Sequence, residues 1–519
     1  MLQNKIIVLI ALIVALGGLL MGFDASVISG VTKFIEIEFS LTKLELGWAV
    51  ASLTLTSTLA MLAAGPLSDR IGRRTVLRYA AVLYAISALG SAFAPDFFWL
   101  VMARMLGGFG VGASLILAPV YIAEISPAEL RGRMVSFNQL NIVVGISLAF
   151  FTNYLILQLS DNPTDWVKTL GIDQNNWRWM LGLELVPAIF YYLGLFFVPR
   201  SPRWLIMRGE WDEAKTIMQR FTEHDECEEE LKRIRKSIEL EKNKEKPSFK
   251  ELFHPALKLV LSIGIVVAVL QQITGINSVF FYAPMIFEQS GIGTDASFVQ
   301  AILVGLVNLV FTLLAILFID KLGRKPLLTF GVAGIVICMG ILSYGFSQAT
   351  YQLTEESVAA LPVSVDRAPL QGMIGTLYDS DVDYKQALAA AMGQEKLSAN
   401  QTDLITAAID MNPYLILFGI LGFVASFAIS IGPVMWVLFS ELFPNKFRGL
   451  AISFVGLINS AVSFLVQWIF PWELEVLGNS VTFLIYGVFA AAGLVFIIMV
   501  IPETKGKSLE ELEAELVKY

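Results

Sequence analysis

Long apolar runs separated by short charged loops set the pattern of this chain. Twelve stretches have the length and apolar content of a lipid-crossing helix, for which about 18–20 residues suffice. They fall at 6–30, 46–67, 75–94, 98–123, 133–158, 179–198, 256–287, 298–319, 326–346, 413–439, 449–471 and 479–501. Between the sixth and seventh runs, residues 200–255 carry thirteen acidic and thirteen basic side chains. Helical patterning in GEWDEAKTIMQRF and EEELKRIRKSIELEK, with Glu and Lys on neighbouring turns, predicts short surface helices there. The predicted fold class is an all-α membrane protein. A six-helix bundle over 1–199, a cytoplasmic helical linker over 200–255, a second six-helix bundle over 256–501 and a tail over 502–519 make up the chain.

Composition agrees: 56% of the 519 residues are hydrophobic and mean hydropathy is +0.67, which excludes an ordinary soluble protein. The formal charge of −8 is spread over loops and suggests no nucleic-acid partner; the lipid bilayer is the expected surround. Cys227 and Cys338 offer no disulfide framework, and His224 and His254 make no convincing metal site. No cofactor is expected, and no nucleophile–base pair in the spans points to an enzyme. The apolar run after Lys5 lacks a small-residue cleavage site, so it reads as a first span rather than a removed signal. Lys and Arg cluster after the second, fourth, eighth and tenth spans, which by the positive-inside bias predicts that both termini and the linker are cytoplasmic.

The two halves repeat. GPLSDRIGRR (65–74) corresponds to FIDKLGRKP (318–326), and AEISPAELRGR (123–133) to SELFPNKFRG (440–449). In the second pair a Glu and an Arg stand seven apart, Glu124/Arg131 and Glu441/Arg448. A lone basic loop would mean only orientation. Two matched loops with acid partners favour a cytoplasmic charge latch built from Asp69, Arg73, Arg74, Glu124 and Arg131, and from Asp320, Arg324, Glu441 and Arg448. Such duplication is expected of bundles that rock around a central solute site.

The richest stretch is QQITGINSVFFYAP (271–284), inside the seventh run. Amides left unpaired in lipid are costly. At about 100° per residue, Gln271 and Asn277 would point apart on a straight helix; Gly275 between them can break it and turn them toward one cavity. A polar helix–helix contact is the competing explanation for any single amide. Three amides around a breaker, followed by Phe280, Phe281 and Tyr282, suit a hydroxyl-rich solute. Two buried charges form a second group. Asp24 and Arg104 each lie about six residues from the outer end of their span, roughly 9 Å deep at ~1.5 Å per residue. An intramembrane charge costs about 2.5–3.5 kcal/mol on insertion scales and is a functional candidate. A static ion pair and a proton switch are both open readings; Glu184 is a further buried acid.

Together GRR/GRK, QQITGIN, VPRSPRW (198–204), GPVMWVLFSELFP (432–444) and PETKGKSLEELE (502–513), in that order, resemble the sugar porter branch of the major facilitator superfamily. The likeness is nearest to its bacterial proton–xylose symporters and glucose facilitators, and covers the chain outside 347–412. The resemblance implies a major facilitator fold and sugar contacts at Gln139, Gln271, Gln272, Asn277, Asn308, Trp436 and Asn459, with Phe23 and Ile142 on the apolar side; Tyr282 joins them from the aromatic run. It also implies proton coupling, because proton-coupled members carry an acid at the Asp24 position where passive ones carry an amide. Arg200 and Ser460 depart from the family, standing where it usually has an acid and a tryptophan.

The expected function is import of a monosaccharide, hexose or pentose, by alternating access at the plasma membrane, as a monomer, with Asp24 and Arg104 coupling a proton. A passive uniporter of the same fold and a non-transporting sensor are the alternatives. Residues 347–412 form an external loop of about 65 residues with nine acids and three bases; a lid and an unstructured insertion are equally compatible with it.

Overall fold

The computed structural model describes residues 2–126, 131–220, 224–243, 248–363, 365–507 and 509–516. Among these, twelve helices are long and apolar enough to cross a membrane, from Ile6–Gly30 to Gly478–Val500. Large side chains such as Phe197, Phe330 and Phe418 stand exposed along them, as lipid-facing positions require. Two spans are discontinuous. The seventh, Pro255–Glu288, contains the helices Lys258–Ile273 and Ile276–Glu288, parted at Gly275 with φ +86°. The tenth, expected as one run, divides at Ser430 into Pro413–Ile429 and Ile431–Leu442. Pro433 favours the second break: it has no N–H to bond the Ile429 carbonyl four residues back, which weakens the helix at that point.

The chain forms two compact units. The first comprises 1–25, 52–149 and 178–247; the second comprises 26–51, 150–177 and 248–519. In the first unit, spans one and five cross with their backbones nearly touching. A Cβ on Gly22 would lie 2.0 Å from the Ile142 carbonyl oxygen, and one on Gly145 would lie 2.1 Å from that of Leu19. Small residues thus set this crossing, as in membrane packing generally. The helix Phe97–Ile125 starts at Asp96, whose carboxylate accepts the Trp99 N–H (3.0 Å), a cap that fixes the register of Arg104 two turns on.

The second unit unites one end of the first-half helices with the whole second half. Lys33 pairs with Glu288 at 3.1 Å, and Trp468 donates its indole N–H to the Leu44 carbonyl (3.1 Å). Trp48 meets Trp468 edge-on, and a Cβ on Gly47 would lie 1.9 Å from the Trp468 carbonyl oxygen.

The 347–412 insertion is a folded domain. Helices Glu355–Ala360, Asp381–Met392 and Gln394–Ala408 surround a three-stranded antiparallel sheet in which Thr350–Gln352 is central, Tyr351 pairing with Tyr378 on one side and Ile409 on the other. Tyr351, Leu370, Tyr384, Leu388, Leu404 and Ile405 make its core, and the Tyr384 hydroxyl donates to the Leu404 carbonyl (2.9 Å). Burial pushes the pKa of both tyrosines above the ordinary phenol range, so they stay neutral. Of the two forms left open by the sequence, this is the ordered one.

Candidate functional site

The break at Gly275 brings the amides of the seventh span together. Asn277 lies just past the break, and its Nδ2 donates to Gln272 Oε1 (2.8 Å) and Ser463 Oγ (2.7 Å). Gln272 Nε2 donates to Gln271 Oε1 and to Asn459 Oδ1, both at 3.1 Å. Asn459 returns a donation to Gln271 Oε1 (2.7 Å) and another to the Ala268 carbonyl (2.9 Å). Gln271 then reaches the Ile431 and Gly432 carbonyls at the start of the tenth span's second helix. Four amides from two spans therefore satisfy one another in a largely dry region. Every carboxamide both donates and accepts, so these side chains have the chemistry to exchange such bonds for those of a hydroxylated ligand.

Gln467 extends the set, donating to Ser463 Oγ (2.7 Å). Ser463 and Gln467 were not singled out from the sequence, yet the signal was present: Asn459, Ser463 and Gln467 recur every four residues and share one helix face. Trp436 is 48% exposed, and its ring tip would lie 3.9 Å from a Cβ on Gly456, one turn before Asn459. Its neighbour Met435 takes a long contact from Asn459 (Sδ, 3.8 Å). The Tyr282 hydroxyl is tied to the Gln467 carbonyl (3.0 Å), which gives that side chain a structural anchor. Asn308 is buried on the eighth span and makes no hydrogen bond to this set among the described residues. Gln139, Ile142 and Phe23 belong to the first unit, where Gln139 is exposed, Ile142 half-buried and Phe23 buried.

The first unit holds the charged group. Arg104 Nη1 and Asp24 Oδ1 are 3.4 Å apart, with side-chain exposures of 2% and 1%. Gly107, one turn after Arg104, gives the carboxylate its room: a Cβ there would lie 3.0 Å from Asp24 Oδ2. That oxygen has no hydrogen-bond partner among the described residues. Glu184 is 2% exposed, within electrostatic reach of both, and its Oε1 is likewise unpartnered. Arg104 thus pairs with Asp24, and a second buried carboxyl, Glu184, lies within electrostatic reach of that pair, so the number of protons held there sets the charge of a buried cluster.

The duplicated loops turn at matching glycines, Gly72 (φ +96°) and Gly323 (φ +98°). Each places an arginine against a glutamate: Arg73 on Glu124 at 3.2 Å, and Arg324 on Glu441 at 2.8 Å. Arg73 also holds Asp69 (2.7 Å), and Arg74 donates to the Val198 carbonyl (2.9 Å). A hydroxyl caps each glutamate from beyond the sixth or twelfth span, Ser201 at 2.5 Å and Thr504 at 2.6 Å. Neither hydroxyl was singled out from the sequence, although both stand four residues past their span's helix end, Phe197 and Val500. Arg448 donates to the Phe443 carbonyl (3.2 Å), because it opens a new helix beyond a non-helical turn and folds back on that turn. Arg200 pairs with Glu210 (3.4 Å) and Glu213 (3.3 Å). The side chains of Arg131 and Asp320 lie outside the described residues.

Among the described residues, twelve candidate spans, two of them broken, with polar groups buried within them, match the pattern of a secondary carrier. A family model described as "Sugar (and other) transporter" matches residues 10–364 and 388–516. The arabinose-proton symporter of Bacillus subtilis is 33% identical over 512 residues, covering 99% of this chain and 95% of that protein. The D-xylose-proton symporter of Escherichia coli is 34% identical over 540 residues, covering 97% and 94%. The inward-open structure of the E. coli xylose transporter superposes with a TM-score of 0.74 at 30% identity, covering 98% of this chain and 99% of that one. The chain belongs to the sugar (and other) transporter family, as a sugar porter of the major facilitator superfamily. It is a multi-pass membrane transporter and not an enzyme.

Proposed function

We propose that this carrier imports a monosaccharide, pentose or hexose, by alternating access, and that a proton moves with it through Asp24. The observation that carries the reading is the amide cluster around the Gly275 break, where Gln271, Gln272, Asn277 and Asn459 exchange bonds that a sugar can replace. Trp436 offers an aromatic face to the C–H side of a ring. The relatives named for arabinose and xylose support a pentose as the first sugar to try.

Proton coupling is supported by the buried Asp24–Arg104 pair. With Asp24 ionised, Arg104 is held; with Asp24 protonated, Arg104 is released, and that exchange gives a proton gradient something to bias. Lys33–Glu288 and Trp48–Trp468 tie first-half helix ends to second-half helices at one end of the second unit. The protein then acts as a monomer in the plasma membrane with both termini inside, and the Arg73–Glu124 and Arg324–Glu441 networks hold helix ends on the cytoplasmic side.

Uptake of labelled D-xylose, L-arabinose and D-glucose into proteoliposomes tests the reading. Saturable uptake of at least one sugar, with its KM raised by Gln272→Ala, is the expected result. Uptake of none, or a KM untouched by Gln272→Ala, would refute it.

A further inference from the structure

A cavity of about 230 Å³ lies between the insertion domain and the helix ends beneath it. It holds the volume of about eight liquid waters at ~30 Å³ each, enough for one small ring. None of the membrane amides lines it. Four other glutamines do: Gln289, Gln386, Gln394 and Gln401. Gln289 follows the last turn of the seventh span and is 6% exposed, and its Oε1 has no donor among the described residues. A buried acceptor without a donor is uncommon in a folded protein. Gln394 and Gln401 stand seven residues apart on one helix and so present one face. Gln386 and Gln394 are exposed and form the rim; Gln401 is half-buried.

The walls are tied down. Glu288, next to Gln289, accepts from Thr402 Oγ1 (2.9 Å) beside Gln401, and pairs with Lys33. Asp381 accepts from Asn479 Nδ2 (2.9 Å), anchoring the other helix of the domain. The cavity's cations already have partners: Lys43 pairs with Glu36, and Lys385 with Asp381 at 3.0 Å. Glu475 adds one carboxylate, and Pro471 and Leu474 add apolar surface. Amides that donate and accept, cations that are spent internally, and an apolar patch suit a neutral polyhydroxylated ring and not an anion.

We propose that this cavity is an auxiliary capture site for a neutral monosaccharide, formed by the insertion domain and separate from the amide cluster of the seventh and eleventh spans. The choice of sugar as the ligand class rests on the transport reading above. Because the Glu288 carboxylate joins the seventh span, Lys33 and Thr402, a sugar seated beside Gln289 bears on the contact that joins them.

Hydrogen-exchange mass spectrometry on the purified full chain tests the site, with D-xylose, L-arabinose and D-glucose as probes. The expected result is a saturable slowing of at least twofold over 382–401 with at least one sugar. It persists in Gln272→Ala, which impairs only the membrane cluster, and is lost in both Gln289→Ala and Gln401→Ala. Gln401 is half-buried on the domain's own helix, so its variant remains informative if Gln289→Ala misfolds. The proposal is overturned if no probe slows exchange there, if the slowing vanishes in Gln272→Ala, or if it survives in the folded glutamine variants. Failure of the transport reading is seen separately, as absent uptake in proteoliposomes, and does not alter this readout.

Discussion

The two buried polar groups of this protein solve opposite problems. The amides of the seventh and eleventh spans are neutral and close their hydrogen bonds among themselves. The Asp24, Arg104 and Glu184 group is charged, and two of its carboxylate oxygens have no hydrogen-bond partner among the described residues. A self-satisfied neutral cluster is inexpensive when empty and can trade its bonds for those of a hydroxylated ligand at little net cost. An under-satisfied charged cluster is stable only with the right count of protons, which makes it responsive to pH. The proposed function assigns binding to the neutral cluster and coupling to the charged one, on different helices.

Breaking that division should give its largest effect at Asp24. Asp24→Asn is expected to abolish uphill sugar accumulation while exchange of labelled for unlabelled sugar continues; loss of both in proteoliposomes would assign Asp24 to folding or binding. In the wild type, accumulation should fall as external pH rises, since the cycle needs the protonated acid. Next comes Gln272→Ala, which removes two donated bonds and one accepted bond from the neutral cluster. A buried polar partner left unsatisfied costs ~1–3 kcal/mol, so the KM for sugar should rise about 5- to 150-fold, with the pH dependence unchanged.

Gly275→Ala tests the geometry that joins the amides. A Cβ there would lie 2.5 Å from Tyr486 Cδ2, and the backbone sits at φ +86°. The left-handed conformation alone costs a non-glycine residue roughly 1–2 kcal/mol, so transport per folded molecule should drop by about tenfold or more. Tyr282→Phe should have the smallest effect. It removes a single bond to a backbone carbonyl, worth about 0.5–1.5 kcal/mol, and the change should appear in melting temperature more than in KM. A large KM effect there would place Tyr282 in the binding cluster itself.

Much of this division can be read in the sequence. Hydrophobic length gives the spans, a glycine between amides gives the break, and equal depth on two spans anticipates the Asp24–Arg104 pair. The reasons for the misses are equally physical. Ser463 and Gln467 are ordinary residues singly, and only their four-residue spacing after Asn459 marks them. The break at Ser430 was signalled by Pro433 but masked by the apolar run around it. The insertion's sheet pairs Thr350 with Asp410, sixty residues apart, and no local periodicity reports such a contact. The partners of Glu441 depend on where the chain returns after the twelfth span, which brings Thr504 to it while Arg448 turns to a carbonyl.

The division of labour is tested most directly by following protons and sugar together. Proteoliposomes without an imposed gradient, loaded with a pH-sensitive dye, receive the best-transported sugar from outside. The wild type should acidify the lumen in step with sugar entry, and a protonophore should erase the acidification. Asp24→Asn should equilibrate sugar with no proton signal. Sugar entry without proton movement in the wild type, or equal proton movement in Asp24→Asn, would contradict the assignment of coupling to the charged cluster.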